Sequence, residues 1–438
     1  MKAVIMAGGK GTRISSVASD IPKPMIKIEN KPVLEHEIEC LRDQGFTDLI
    51  ITVSHLGHII MDYFGDGSKI SPATGKAFGV NIEYFVEEVP LGNAGALFQL
   101  KDKLSDDFLL LNADSVFDID FNRLVEYHRE KGGLVTLFTH PNNHPYDSGL
   151  IFADNNNAVT AWLAKEDERP EFYRNRVNAG LHVLNKHVLD VDINTPKIDL
   201  DRQILKPLSG TGKMFAYDSP EYVKDMGTPE RYEAVCRDYA DGRVKAKNFT
   251  NKQKAIFLDR DGVINEYVGF LRNIDDFKLI EGVEEAIKKI NASGYLAIVI
   301  TNQPVIARGE VTLEELSSIH NKMETLLGMK GAFLDGIYFC PHHPDKGFDG
   351  EVAELKIDCD CRKPKTGLVE NACKEFNIDI EKSWFIGDAT IDIQTGINAK
   401  CKTCLVKTGV AGEDRKYNVK ADLEADTLFD AINGIISF

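Results

Sequence analysis

Apolar residues along this chain recur in two alternating patterns. Short unbroken runs such as Ala3-Val4-Ile5-Met6, Leu49–Val53 and Phe108–Leu111 have the length of strands buried on both faces. Between them, apolar positions fall three and four apart. Val33, Leu34, Ile38 and Leu41 share one helical face, and Gly45 can end that helix. The pattern starts again at Ala255-Ile256-Phe257-Leu258. Val283, Ala286, Ile287 and Ile290 mark a helix that Gly294 can close, and Leu296–Ile300 and Trp384-Phe385-Ile386 follow as strands.

Residues 241–253, between the two starts, are polar and nearly without apolar side chains, which reads as a linker between domains 1–240 and 254–438. Repeated strand–helix order predicts an α/β protein. Its two doubly wound domains would have open, largely parallel sheets with helices on both faces. Such sheets take their ligands beyond the carboxyl ends of the strands. The polar residues that directly follow the apolar runs are therefore the candidates for chemistry.

Charge narrows the partners. The 438 residues carry a formal charge of −16. Residues 254–438 hold 22 basic and 31 acidic side chains, and both halves are acidic with no basic run. No duplex binding by bulk electrostatics is expected, though local basic residues and backbone N–H groups can still bind phosphate. No run of eighteen apolar residues is present, so no membrane helix is expected. The opening MKAVIMAGGKG is too short in apolar residues for a secretory segment, so a cytoplasmic protein is expected.

The first candidate site is Met6-Ala-Gly-Gly-Lys-Gly-Thr-Arg13, directly after the first strand. Glycines there let backbone N–H groups approach a phosphate closely. The spacing is neither that of a P-loop nor that of a dinucleotide fingerprint, and alone it also suits a tight turn. Further motifs follow in order: Pro22-Lys23-Pro24-Met25, Leu91-Gly92-Asn93-Ala94-Gly95, Asn112-Ala113-Asp114, Val177-Asn178-Ala179-Gly180 and Lys224-Asp225-Met226-Gly227.

Together these make residues 1–240 resemble the sugar-1-phosphate nucleotidylyltransferases. The resemblance implies that Gly8, Gly9, Gly11 and Thr12 hold a nucleoside triphosphate whose phosphates meet Arg13 and Lys23. It implies Mg²⁺ on Asp114 and Asp225, and substrate contacts at Gly92, Lys165, Asn178 and Gly180. Ala164 stands where the family commonly has a glutamate before that lysine. The chemistry suits these residue types. A sugar phosphate attacks the α-phosphorus, pyrophosphate leaves, and cations offset the charge without any protein nucleophile.

The second candidate site is Phe257-Leu258-Asp259-Arg260-Asp261-Gly262. Two carboxylates two residues apart can divide the work, one attacking phosphorus and the other handling protons. Thr301-Asn302-Gln303, Arg362-Lys363 and Gly387-Asp388 follow in order. This set resembles the haloacid dehalogenase phosphatases. Thr301–Gly309, Cys340-Pro-His-His-Pro344 and Cys359-Asp-Cys-Arg-Lys-Pro364 narrow the resemblance to the heptose 1,7-bisphosphate phosphatases, with the histidinol-phosphate phosphatases nearest to them. The resemblance implies Asp259 as nucleophile, Asp261 as acid/base, and Thr301, Arg362 and Lys363 as holders of the phosphoryl group. It implies Mg²⁺ on Asp259, Asp261 and Asp388, and substrate contacts at Arg260, Asn302 and Gln303. Val305 and Ala389 depart from the heptose pattern, where Gly and Lys are common.

Cys340, His342, Cys359 and Cys361 form a set of soft or borderline ligands suited to a closed, structural Zn²⁺ site, with His343 the rival to His342. The resulting expectation is a two-enzyme fusion. A phosphatase half frees heptose 1-phosphate, and a transferase half activates it with a nucleotide, GTP by resemblance. Histidinol phosphate or another hexose 1-phosphate as substrate remains open, as does a sugar-nucleotide sensor with one inactive half.

Overall fold

The computed structural model describes residues 1–9, 20–195 and 197–436. They form two compact units. The first comprises Met1–His140, Gly149–Ala164 and Asn178–Asn248, and the second Pro141–Ser148, Lys165–Val177 and Phe249–Phe438.

This division differs from the expected 1–240 and 254–438. Residues 165–177 cluster with the second unit because their polar backbone is satisfied there. Tyr173 N donates to Thr325 Oγ1 at 2.8 Å, and Asn175 N to Glu324 Oε2 at 3.0 Å. Arg176 and Glu324 form a buried ion pair at 3.1 Å. The polar run 241–253 also hides two anchors, Val244 and Phe249, each buried in the core of its own unit. Arg243–Ala246 within it is a short helix.

In the first unit, Lys2–Met6 lies between Asp48–Val53 and Asp107–Asn112, parallel to both. The sheet has nine strands and is mixed rather than mostly parallel, because Val177–Asn185 pairs antiparallel with Asp107–Asn112. Successive strand residues point to opposite faces. Ala3 and Ile5 accordingly enter one core cluster and Val4 another, with both faces covered. The helix expected from Val33, Leu34, Ile38 and Leu41 spans Val33–Asp43 and buries all four.

The second unit has a six-stranded sheet in the order Gly336–Cys340, Tyr295–Asn302, Lys254–Leu258, Trp384–Gly387, Lys402–Val406 and Leu423–Ala425. Every pairing in it is parallel. The chain builds outward from Lys254–Leu258 in one direction, then returns to start the other side at Trp384–Gly387. That reversal opens a crevice beyond the strand ends, where ligands of such sheets bind. Asp259 and Asp388 are the first residues past those two strands. The helix Val283–Asn291 buries Val283, Ala286, Ile287 and Ile290, the four residues its spacing pointed to.

Candidate active sites

In the second unit, Asp259 N donates to Ile386 O at 3.0 Å, which ties the end of the central strand to its neighbour. Lys363 Nζ lies 2.9 Å from Asp259 Oδ1 and 2.6 Å from Asp392 Oδ1. Asp259, Asp388 and Asp392 bring carboxylate oxygens within 4.8 Å of one another, a group that could hold a metal ion. Three carboxylates against one ammonium leave an excess negative charge that a divalent cation would balance.

Burial, and then Asp392 and Asp259, push Asp388 up to about 8. Burial pushes Asp392 up to about 7, with Lys363 opposing and Asp259 adding to the rise. Burial pulls Lys363 down, but Asp259 and Asp392 more than offset it and its net direction is up.

These shifts fix the sign of a pH effect. Both folded values lie above the ordinary 3.8 of Asp. From about pH 4 to pH 8 the unfolded chain is ionised at these positions while the folded chain holds protons. Metal-free protein therefore loses stability as pH rises through that window. A divalent cation binds the ionised carboxylates, so Mg²⁺ should raise Tm more at pH 8.5 than at pH 6. Thermal melting with and without Mg²⁺ checks this, and an equal rise at both values would contradict it.

The Asp261 carboxylate, expected on Mg²⁺, lies outside the group of side chains Asp259, Asp388 and Asp392. It is already engaged. Arg260 Nη2 donates to both of its oxygens at 2.9 Å, Asn265 Nδ2 to Oδ1 at 3.0 Å and Gln303 Nε2 to Oδ2 at 3.0 Å. Burial pulls Asp261 up, but Arg260, Asn265 and Gln303 outweigh it and hold it low. Arg260, expected at the substrate, has a side chain 0 % exposed that also donates to Gln303 Oε1 at 3.1 Å. Gln303 is buried too, bridging Asp261 and Thr301 Oγ1. Asn302 clamps the Lys363 backbone, accepting from Lys363 N at 3.0 Å and donating to Lys363 O at 3.3 Å.

Cys340, His342, Cys359 and Cys361 converge as a second group that could hold a metal. The three sulfurs are 3.1–3.5 Å apart, and His342 Nδ1 is 3.2 Å from Cys361 Sγ. Ligand atoms around a tetrahedral zinc with Zn–S of about 2.3 Å stand about 3.5–3.8 Å apart, so the donor set fits and its atoms stand a few tenths of an ångström closer than that. His343 Nδ1 instead accepts from Asp345 N at 3.1 Å. Arg362, next to Cys361, donates to His342 O at 3.1 Å.

In the first unit, Lys10–Ser19 lie outside the described residues, so the expectations for Gly11, Thr12 and Arg13 fall there. Gly8 O accepts from Ser54 Oγ at 2.6 Å, and nothing stands within 4 Å of where a Gly9 Cβ would be. Lys23, 9 % exposed, donates to Asp114 Oδ2 at 2.7 Å. Asp225 ends a strand paired with Ser115–Asp118, and Met226 N donates to Asp114 O, which brings the two aspartates together. Asp225 also accepts from Arg231 Nη1 at 2.6 Å and Gly227 N at 2.7 Å. Burial raises Asp225, but Arg231, Gly227 and Lys23 together hold it low.

Gly92 has a structural reason: at φ +82° it packs so close to Ile198 that a Cβ would meet Ile198 O at 2.3 Å. Asn178 Oδ1 accepts from Gly180 N, and Gly180 faces Asn112. Lys165 is exposed, in the turn after Val159–Leu163, and clusters with the second unit.

The sequence reading missed Asp392, Arg231 and Glu37. Asp392 lies on the first turn of the helix Thr390–Ala399, so an acidic residue four places after Asp388 was its signal. Arg231 is on the first turn of Pro229–Ala240, six residues after Asp225. Glu37, 1 % exposed with neither oxygen hydrogen-bonded, is pushed well up by burial and by Asp114, with Lys23 opposing. Nothing in the apolar pattern of its helix marked it.

The nucleotidyl transferase family matches residues 2–267, and the HAD-hydrolase-like family matches residues 360–431. A Haemophilus influenzae protein named D-glycero-beta-D-manno-heptose-1,7-bisphosphate 7-phosphatase is 42% identical over 181 residues, 40% of this chain and 94% of that protein. An Oryza sativa protein named "Probable mannose-1-phosphate guanylyltransferase 2" is 30% identical over 246 residues, 55% of this chain and 65% of that one. A solved structure of D,D-heptose 1.7-bisphosphate phosphatase from B. bronchiseptica, complexed with magnesium and phosphate, is 28% identical with a TM-score of 0.38, covering 42% of this chain and 99% of that one. No helix among the described residues is long and apolar enough to cross a membrane. With those matches lying over two separate sites, the chain belongs to the nucleotidyl transferase family in its first half and to the haloacid dehalogenase-like phosphatases in its second, two enzymes on one polypeptide.

Proposed function

We propose that the second unit hydrolyses the 7-phosphate of D-glycero-D-manno-heptose 1,7-bisphosphate, and that the first unit joins the resulting heptose 1-phosphate to a nucleotide from GTP. Both steps would take place in the cytoplasm. The observation that carries the reading is the meeting of Asp259, Asp388 and Asp392 with Lys363 at the strand reversal of a parallel sheet. The name of the Haemophilus influenzae relative supports the bisphosphate, and that of the Oryza sativa relative supports GTP.

Asp259 attacks the phosphorus, and the bond from phosphorus to the sugar oxygen breaks. The departing oxygen takes up a proton from solvent water, since Asp261 is held ionised. A second water then attacks the aspartyl phosphate at phosphorus as the bond from Asp259 to phosphorus breaks, gives its proton to Asp261, which passes it to solvent, and releases inorganic phosphate with Asp259 regenerated. Arg260 holds Asp261 ionised, ready to accept that proton. Lys363 offsets the repulsion between Asp259 and the incoming phosphate, while Thr301 and Arg362 hold the phosphoryl oxygens. In the first unit Lys23 neutralises triphosphate charge, and Asn178 and Gly180 hold the sugar phosphate as its oxygen attacks the α-phosphorus. Mg²⁺ supplies further charge neutralisation in both sites, held by Asp259, Asp388 and Asp392 in one and by Asp114 and Asp225 in the other. Parallel assays of phosphate release from the bisphosphate and pyrophosphate release from heptose 1-phosphate with GTP test the pair. Absence of either product removes the corresponding half of the reading.

Cys340, His342, Cys359 and Cys361 would hold Zn²⁺ with four protein ligands, a structural site that would tie down the loop carrying Arg362 and Lys363. Metal analysis should find about one zinc per chain, and Cys361→Ser should lose it together with most phosphatase activity. Full phosphatase activity in zinc-free protein would contradict this role.

A further inference from the structure

His182 is buried, 2 % exposed, on the strand Val177–Asn185. Its Nε2 lies 3.1 Å from Asn178 Oδ1, and Gly180 N donates to the same oxygen at 3.2 Å. Residues four apart on an unbroken strand are separated by about 13 Å, too far for this contact. Gly180 makes it possible. At φ +76° it departs from the extended backbone between the two residues, and a Cβ there would stand 2.6 Å from Asn112 Nδ2.

The protonation of the ring follows from its surroundings. Burial lowers His182 to about 4, so at neutral pH it is uncharged and carries one N–H. Gly180 N identifies Oδ1 as the amide oxygen, so the ring proton belongs on Nε2. Nδ1 is buried with no partner. Two donors on one oxygen settle which way the amide points. They leave Asn178 Nδ2 with no protein partner among the described residues, on a half-buried side chain. An amide nitrogen is a donor, the group an anionic sugar phosphate requires.

We infer that His182 is a positioning residue that locks the Asn178 amide with its nitrogen turned toward the sugar phosphate. The inference rests on the proposed role of Asn178 and extends it to a side chain that does not touch the substrate. His182→Phe keeps a ring of similar size and removes the donor, whereas His182→Gln keeps an N–H donor. With D-glycero-D-manno-heptose 1-phosphate varied and GTP saturating, His182→Phe should raise the sugar-phosphate KM by about 10-fold. Its KM for GTP should change less than about twofold, since a loss confined to one hydrogen bond leaves the other substrate alone. His182→Gln should recover most of the loss, which a purely space-filling role would not allow. Should His182→Phe fail to fold, His182→Met, which also lacks the donor, gives the same readout. An unchanged sugar-phosphate KM in the donor-less variant, while Asn178→Ala raises it, overturns the role of His182. An unchanged KM in Asn178→Ala overturns the assignment of Asn178, and the inference with it.

Discussion

Asp259→Asn should abolish phosphate release from the bisphosphate, by on the order of 10⁴-fold or more, while pyrophosphate release from heptose 1-phosphate and GTP continues. The substitution preserves the shape of the side chain and removes its nucleophilic charge. It also removes one of the three carboxylates that converge beside Lys363. The transferase residues Lys23, Asp114 and Asp225 all lie in the other compact unit. Steady-state assay of both products from one preparation checks the outcome. Residual phosphate release above about one per cent of wild type, by the same nucleophile argument, would show that Asp259 is not the attacking group.

Lys23→Ala should have the converse effect. Nucleotidyl transfer should fall by roughly 10²-fold or more, with phosphate release unchanged. Lys23 is buried and carries the positive charge that faces Asp114, so removing it leaves that carboxylate without its cation beside the buried Glu37. The loss should exceed what an exposed lysine would give, because Lys23 is 9 % exposed and its removal leaves the Asp114 charge unpaired to repel the incoming triphosphate. Asp225→Asn should reduce transfer by a similar factor, and extra Mg²⁺ should partly restore it if the lost group is a metal ligand. The check is kcat/KM for GTP over a Mg²⁺ series. Transfer at the wild-type rate in either variant would remove that residue from the site.

The strands and the residues that end them were legible because a strand buried on both faces reads as an unbroken apolar run. Asp259 follows such a run directly, Asp388 comes two residues after one and Asp114 three, so their place near the strand ends could be read from order alone. What lay off those ends was harder. Asp392 sits one helical turn past Asp388, and only the first turn of its helix brings it back to the site. The resemblance implied a substrate contact for Arg260, and nothing in the sequence showed that its side chain is buried against Asp261. Nor did the spacing of Asp259 and Asp261 show that Gln303, 42 residues on, would donate to the second carboxylate beside Arg260 and Asn265. The mixed character of the first sheet was also hidden, since a buried antiparallel strand such as Val177–Asn185 has the same apolar run as a parallel one. The segment 165–177 gave no sign that it packs with the second unit, because its anchors are polar, Asn175 and Arg176 on Glu324.

One chain performing two reactions in a fixed order should show that order in time. The most direct measurement gives purified protein D-glycero-D-manno-heptose 1,7-bisphosphate, GTP and Mg²⁺, and follows inorganic phosphate and pyrophosphate in the same sample over time. The account predicts that phosphate appears without delay, that pyrophosphate follows after a lag, and that the two reach equal amounts. Pyrophosphate formed from the bisphosphate without prior phosphate release, or phosphate release that is never followed by pyrophosphate, would contradict it.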